Sequence, residues 1–394
     1  MFESIRRFLK LEAASGLLLM VSALLALIAA NSSYDWVYEQ LLTLKLTVAI
    51  EDFSISKPLL LWVNDGLMAI FFLLVGLELK REAIVGELNS VRKVALPALG
   101  AIGGMVVPAS IYAALNWGDD IAIQGWAIPT ATDIAFALGI LVLLGDRVPS
   151  SLKIFLVSLA IFDDLGAIIV IAIFYTDNLS ITALIFSGGC IAILAMMNKL
   201  DVVSKSAYLI VGAVMWVALL KSGVHATLAG VILALFIPMR GVNWDGEDTR
   251  PLHELEHDLH GPVGFIVLPI FAFSNAGLAL SDLQLKDIVD SVPLGIILGL
   301  FFGKQIGVLF MVWLGTKLKW GEMPKGVSWS QMYGISVLCG VGFTMSLFIG
   351  GLAFEQTGDN HFAQDRLGIL VGSLISAVWA IVWFKYFTKN SQSN

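Results

Sequence analysis

Asp163 and Asp164 stand side by side inside an apolar run from Ile154 to Phe174. Holding one carboxylate at the centre of a membrane helix costs about 2.5–3.5 kcal/mol on insertion scales. Two in succession, with no Lys or Arg in the run, demand protons, a metal cation or a partner from another helix. Helix neighbours point about 100° apart, so one carboxylate can meet a lysine while the other faces water. Their protons leave as a coupled pair. Asp133 and Lys304 lie about as deep in other apolar runs. One buried ion pair acting as a staple would use Lys304 and a single aspartate, leaving two carboxylates unexplained. With Thr132, the set Asp133, Asp163 and Asp164 offers only oxygen ligands, which suit a proton or a small hard cation. A carboxylate that holds one cannot hold the other, and that competition yields antiport.

The elements that must position these groups are membrane helices. The chain has 394 residues, 58% hydrophobic and only 14% charged, with mean hydropathy +0.85. Soluble domains carry about 25% charge, so this is a polytopic protein of the lipid bilayer. A net charge of −7, spread over loops, forms no basic patch and excludes nucleic acid as a partner. Cys190 and Cys339 both fall in apolar stretches and give no disulfide framework.

A window of about 20 apolar residues picks out twelve spans: 13–30, 59–79, 95–115, 123–144, 152–174, 181–197, 207–219, 224–237, 264–280, 292–314, 327–348 and 367–387. Arg6, Arg7 and Lys10 precede the first, which reads as an uncleaved helix rather than a signal peptide. Of the 24 Lys and Arg, eighteen fall on the side holding both termini, five on the other, and Lys304 inside a span. That bias predicts cytoplasmic N- and C-termini.

Two spans carry helix-breaking signals. Ile128-Pro129-Thr130-Ala131-Thr132-Asp133 interrupts the fourth, and Gly340-Val341-Gly342-Phe343-Thr344-Met345-Ser346 the eleventh. Matched interruptions in two halves mark the ion site of a secondary transporter, with spans 3–5 and 10–12 as inverted repeats. Where half-helix ends face each other at mid-membrane, Asp133 would offset the positive N-terminal ends and Lys304 the negative C-terminal ends. Between spans 1 and 2, residues from Leu44 to Ile55 alternate apolar and polar, which predicts a small outward β-hairpin able to pair with a second copy.

The segments Phe71-Phe72-Leu73-Leu74-Val75-Gly76-Leu77-Glu78, Ala131-Thr132-Asp133-Ile134-Ala135-Phe136-Ala137, Asp163-Asp164-Leu165-Gly166-Ala167, Lys221-Ser222-Gly223-Val224-His225-Ala226-Thr227 and Cys339-Gly340-Val341-Gly342-Phe343-Thr344-Met345-Ser346 resemble the NhaA family of bacterial sodium/proton antiporters. The likeness runs nearly the whole length. It implies an all-α integral membrane fold of twelve helices in one domain, 1–394, with a core bundle of spans 3–5 and 10–12 and the remaining helices on the dimer side. It also implies an inner-membrane protein, electrogenic exchange with H⁺ inward and Na⁺ or Li⁺ outward, no cofactor, and a homodimer through the hairpin. By position, Asp164 and Asp163 would carry Na⁺ and protons, Asp133 and Thr132 would support the broken helices, and Lys304 would pair with Asp163. A pH-sensing cluster would comprise Glu78, Arg81 and Glu82 with Glu256, His257 and His260, and His225 would tune the response. Family members often have proline after the span-10 lysine; here Gln305 follows Lys304.

Two protease readings compete. His253-Glu254-Leu255-Glu256-His257 fits the H-E-x-x-H zinc pattern, with His260 or a distant acid as third ligand. An intramembrane aspartyl protease also needs two membrane carboxylates, but its G-x-G-D signature is absent.

Overall fold

The computed structural model describes residues 2–51, 53–86, 91–176, 179–242, 245–354 and 361–388. Helix dominates, as it must where apolar segments satisfy their backbone hydrogen bonds within themselves. Among the described residues six helices are long and apolar enough to cross a membrane, and nine spans result if three interrupted pairs each count once. The stretches 207–219 and 224–237 correspond to shorter helices, Lys205–Leu220 and Leu228–Phe236, while 264–280 covers the end of a continuous helical run, 251–275, that contains a π turn at Val263–Val267.

The alternating stretch after the first helix does form a hairpin. Strand β1 (Lys45–Ile50) pairs antiparallel with β2 (Phe53–Pro58), Val48 opposite Ile55, so the hairpin runs three residues past Ile55. A second ladder of two residues a side joins β3 (Gly241–Val242) to β4 (Asp248–Thr249).

The chain divides into two compact units. The first holds residues 1–33, 90–167 and 275–394, and the second 34–89 and 168–274. In the first, helix Val91–Leu115 crosses helix Lys304–Lys317 at bare backbone. A Cβ on Gly103 would lie 2.1 Å from the Gly307 carbonyl oxygen, and one on Gly307 2.0 Å from that of Gly103. Small residues of this kind let membrane helices touch without side chains between them. A π turn, Gly299–Gly303, immediately precedes Lys304; such one-residue insertions re-aim the side chains that follow.

In the second unit, helices Met68–Val85, Ile181–Lys199, Lys205–Leu220 and Leu228–Phe236 share a core that includes Leu73, Leu77, Leu194, Tyr208 and Leu233. Lys80 and Asn198 close the C-terminal end of Leu228–Phe236. The ammonium donates to the carbonyls of Leu235 (2.8 Å) and Ile237 (2.6 Å), and the Asn198 amide to that of Phe236 (2.6 Å). These are the carbonyls a helix end leaves unmade.

Candidate functional site

The site is built where two helices stop. Ala122–Thr130 is wound as a 3₁₀ helix with Pro129 near its end, Ala131 turns extended, and Ile134–Leu143 restarts with Asp133 as its N-cap. Proline removes a donor and disfavours helix in the residue before it. The second interrupted helix comprises Trp329–Leu338 and Phe343–Phe354. Each pair is bent by 42°. Gly340 is required at the second break: a Cβ there would sit 2.3 Å from the Leu300 carbonyl oxygen.

The two breaks satisfy one another. Asp133 donates its backbone N–H to the Val341 carbonyl at 2.7 Å. Its Oδ1 accepts from the Phe136 N–H at 2.9 Å, and its Oδ2 from the Thr344 N–H at 3.0 Å and the Thr344 hydroxyl. One carboxylate thus caps the N-terminal ends of both restarted half-helices, where the dipole favours negative charge. Hydroxyls answer the opposite ends: Thr132 Oγ1 donates to the Cys339 carbonyl (3.0 Å) and Ser346 Oγ to that of Ile128 (2.8 Å). Ser373, on helix His361–Tyr386, accepts the Phe343 N–H at 3.2 Å. One of two serines in an apolar helix, it gave no sequence signal for that role.

The Lys304 ammonium meets Asp163, as the family likeness implied, and not the half-helix ends to which the dipole argument assigned it. Its Nζ donates to Asp163 Oδ2 at 2.7 Å and to Thr132 Oγ1 at 2.9 Å. Thr132 alone links it to the Cys339 carbonyl. The reason is competition: a full carboxylate charge attracts an ammonium more strongly than the partial charge of a helix terminus. Thr132 Oγ1 also lies 2.6 Å from Asp163 Oδ2. With one proton, the hydroxyl serves either Asp163 or Cys339, not both. Asp163 Oδ1 is buried with no hydrogen-bond partner among the described residues. Lys304 is 0% exposed, Thr132 1%, Asp133 and Asp163 2%, and Asp164 6%. Asp164 is therefore buried beside Asp163 rather than open to water in this state.

The second unit holds the other charged candidates. Arg81 donates from Nε to Glu256 Oε1 at 2.9 Å, and its Nη1 lies 2.8 Å from Glu82 Oε1. His260 Nδ1 is 3.8 Å from Glu78 Oε1. His257 is not in this network; with Lys205, Asp248, Arg250, His253, Glu254 and Asp258 it lines an open hollow of about 640 Å³. Lys205 bridges Asp258 (3.0 Å) and Glu254 (3.2 Å). The Arg250 backbone N–H and then Lys205 hold the Glu254 carboxyl below its ordinary range, while Asp258 and Glu254 hold the Lys205 ammonium above its own. His225 stands apart from both groups. Its Nδ1 meets Thr227 Oγ1 at 2.7 Å and its Nε2 lies 3.7 Å from Asp65 Oδ1, while Asp65 also pairs with Lys57 at 2.7 Å. Among the described residues no three His, Cys, Asp or Glu side chains are arranged to hold a metal ion. His253 sits instead 3.9 Å from Glu256, and nothing in the arrangement favours a protease.

A sequence profile of the family described as Na⁺/H⁺ antiporter 1 matches residues 6–384. The chain belongs to that family. Antiporters are transporters rather than enzymes, and the many apolar helices agree with a multi-pass membrane protein. A Saccharophagus degradans protein named Na(+)/H(+) antiporter NhaA 3 is 55% identical over 96% of each chain. The Psychrobacter arcticus protein named Na(+)/H(+) antiporter NhaA is 53% identical, covering 98% of this chain and 96% of its own. The Pseudomonas putida protein of the same name is 54% identical over 94% of each.

Proposed function

We propose that this chain expels Na⁺ or Li⁺ in exchange for inward H⁺, with Asp163 and Asp164 as the groups for which the ions compete. The observation that carries the reading is the half-satisfied Asp163. One of its oxygens is tied to Lys304 and Thr132, while the other is buried without a hydrogen-bond partner among the described residues, beside Asp164 and a pair of interrupted helices. An ammonium, a proton and an alkali cation can each neutralise that carboxylate, and only one does so fully at a time. Na⁺ arriving at Asp163 and Asp164 displaces the occupant of each, a proton from Asp164 and the Lys304 ammonium from Asp163; the returning lysine and proton eject the ion. If the freed lysine also sheds its proton, two protons move per sodium and the cycle is electrogenic.

The rest of the reading follows the family likeness and the charge bias. Twelve spans with inverted repeats at spans 3–5 and 10–12 lie in the bacterial inner membrane, both termini cytoplasmic, and the hairpin at 45–58 pairs two copies. The network of Glu78, Arg81, Glu82, Glu256 and His260, with His257 and His225, sets the pH at which exchange begins. The test is proton movement in proteoliposomes driven by Na⁺, measured from about pH 6.5 to about 8.5 around the ordinary His range, with K⁺ as control. Sodium binding without proton release refutes the reading.

A further inference from the structure

Gln305 follows Lys304 directly and is only 7% exposed. Tyr333, on the first half of the second interrupted helix, donates its hydroxyl to Gln305 Oε1 at 2.8 Å. Trp379, on helix His361–Tyr386, donates its indole N–H to Tyr333 Oη at 3.1 Å. The first link has one direction, because an indole N–H can only donate; Tyr333 accepts from Trp379, and its own hydroxyl donates to Gln305 Oε1. The amide stands with Oε1 toward Tyr333 and Nε2 turned away. Nε2 is buried and has no hydrogen-bond partner among the described residues.

An orphaned buried donor carries a desolvation penalty that an apolar side chain at position 305 would escape. Whatever offsets the penalty must come from the other end of the amide. We propose that Gln305 is a positioning residue for Lys304. In this scheme the Trp379–Tyr333–Gln305 chain holds the lysine-bearing turn against the interrupted helix, so that the ammonium reaches Asp163 and Thr132. The π turn at Gly299–Gly303 makes such a tie useful, because the inserted residue resets the rotation of the turn that follows. The Tyr333 ring is itself held, edge-on to Trp383 at 4.4 Å, and Trp383 bonds the Ser330 carbonyl at 2.8 Å.

The inference rests on the exchange reading, in which Lys304 and Na⁺ compete for Asp163. A lysine less firmly aimed competes less well, and it also ejects the ion less well. The experiment measures Na⁺-driven proton flux by the full-length protein in proteoliposomes, comparing Tyr333→Phe, Gln305→Met and the double variant. Each single change is expected to lower the apparent KM for Na⁺ about threefold or more, the scale of one net hydrogen bond, and to lower the maximal rate with it. The double variant should go no further, because the two residues act through one chain. Trp379→Phe, which removes only the outermost link at a side chain 36% exposed, should shift KM the same way by less. A packing role alone would lower thermal stability and leave KM unmoved; that result, a raised KM, or additive singles overturns the proposal. No exchange by the unsubstituted protein would refute the transport reading itself, whereas exchange with unaltered KM refutes only the role of Gln305.

Discussion

Two charged assemblies in this chain use the same side-chain types and treat them in opposite ways. Around Asp163 the ion pair is sealed, with Asp163 and Lys304 side chains 1% and 0% exposed. Around Arg81 the pairs are wetter, Arg81 side chain 30% exposed and Glu82 and Glu256 16% each. Sealed charges feel each partner strongly and have no water to replace a lost one. Wet charges are screened, and each loss is softened by solvent. The sealed assembly suits an all-or-none exchange of occupants, and the wet one suits a graded response.

The sharpest test of that contrast is neutralisation of the aspartates. Asp164→Asn and Asp163→Asn should each abolish Na⁺-driven proton flux, by about a hundredfold or more, since an amide cannot give up the proton that the cation replaces. The Asp164 variant should still fold, read as an intact thermal transition in detergent. Retained flux would remove the carrier role.

Next in size is Lys304→Ala. It leaves Asp163 buried without its counter-charge, a loss of about 3–5 kcal/mol in comparable buried pairs, visible as a lowered unfolding temperature. Replacing both partners, Asp163→Asn with Lys304→Gln, should recover much of that stability and none of the exchange. Recovery of both would reduce the pair to a structural staple.

Asp133→Ala should come third. Its carboxylate caps two half-helices, so about 1–2 kcal/mol of stability is expected to go for each cap lost. Slowed exchange with Na⁺ affinity little changed is the expected flux result, because Asp133 is engaged with backbone and Thr344 rather than with the competing ions.

How far the sequence reached can be judged on these residues. The adjacent aspartates, the midplane lysine and the two breaks were legible because charge, proline and paired glycines are rare in apolar runs and costly there. The hairpin was legible from its period of two, although its end at Pro58 was not. The pairing of Lys304 with Asp163 was legible from the family likeness, whereas the dipole argument sent the lysine to half-helix ends, since a sequence gives those ends and not which group stands nearer. The π turn at Gly299–Gly303 and the Ser373 cap left no mark, because glycine and serine are ordinary in membrane helices. The histidines divided unpredictably. His260 faces Glu78 and His257 opens onto the hollow, a difference set by the rotation of one short helix.

On the wet side the expected effects are smaller. Glu78→Gln with Glu82→Gln removes partners of His260 and Arg81, pairs worth about 1 kcal/mol or less at such exposure. The pH at which flux begins should move, while flux at alkaline pH persists. An unchanged profile would leave this network a plain helix tie.

The smallest effect should come from Glu254→Gln, which breaks the bridge to Lys205 and the bond from the Arg250 backbone. A carboxyl held below its ordinary range adds stability above its unfolded pKa and loses it as pH falls through the folded one. The parent protein should therefore exceed the variant slightly at neutral pH, and the gap should begin to close near about pH 4, where model glutamates take up protons, and vanish below the lowered pKa of folded Glu254. With the Glu254 side chain 46% exposed, the gap at neutral pH should stay within about 0.5 kcal/mol. Matched thermal melts of the two proteins across pH measure it. A gap of several kcal/mol would place Glu254 with the sealed charges around Asp163 rather than the screened ones around Arg81.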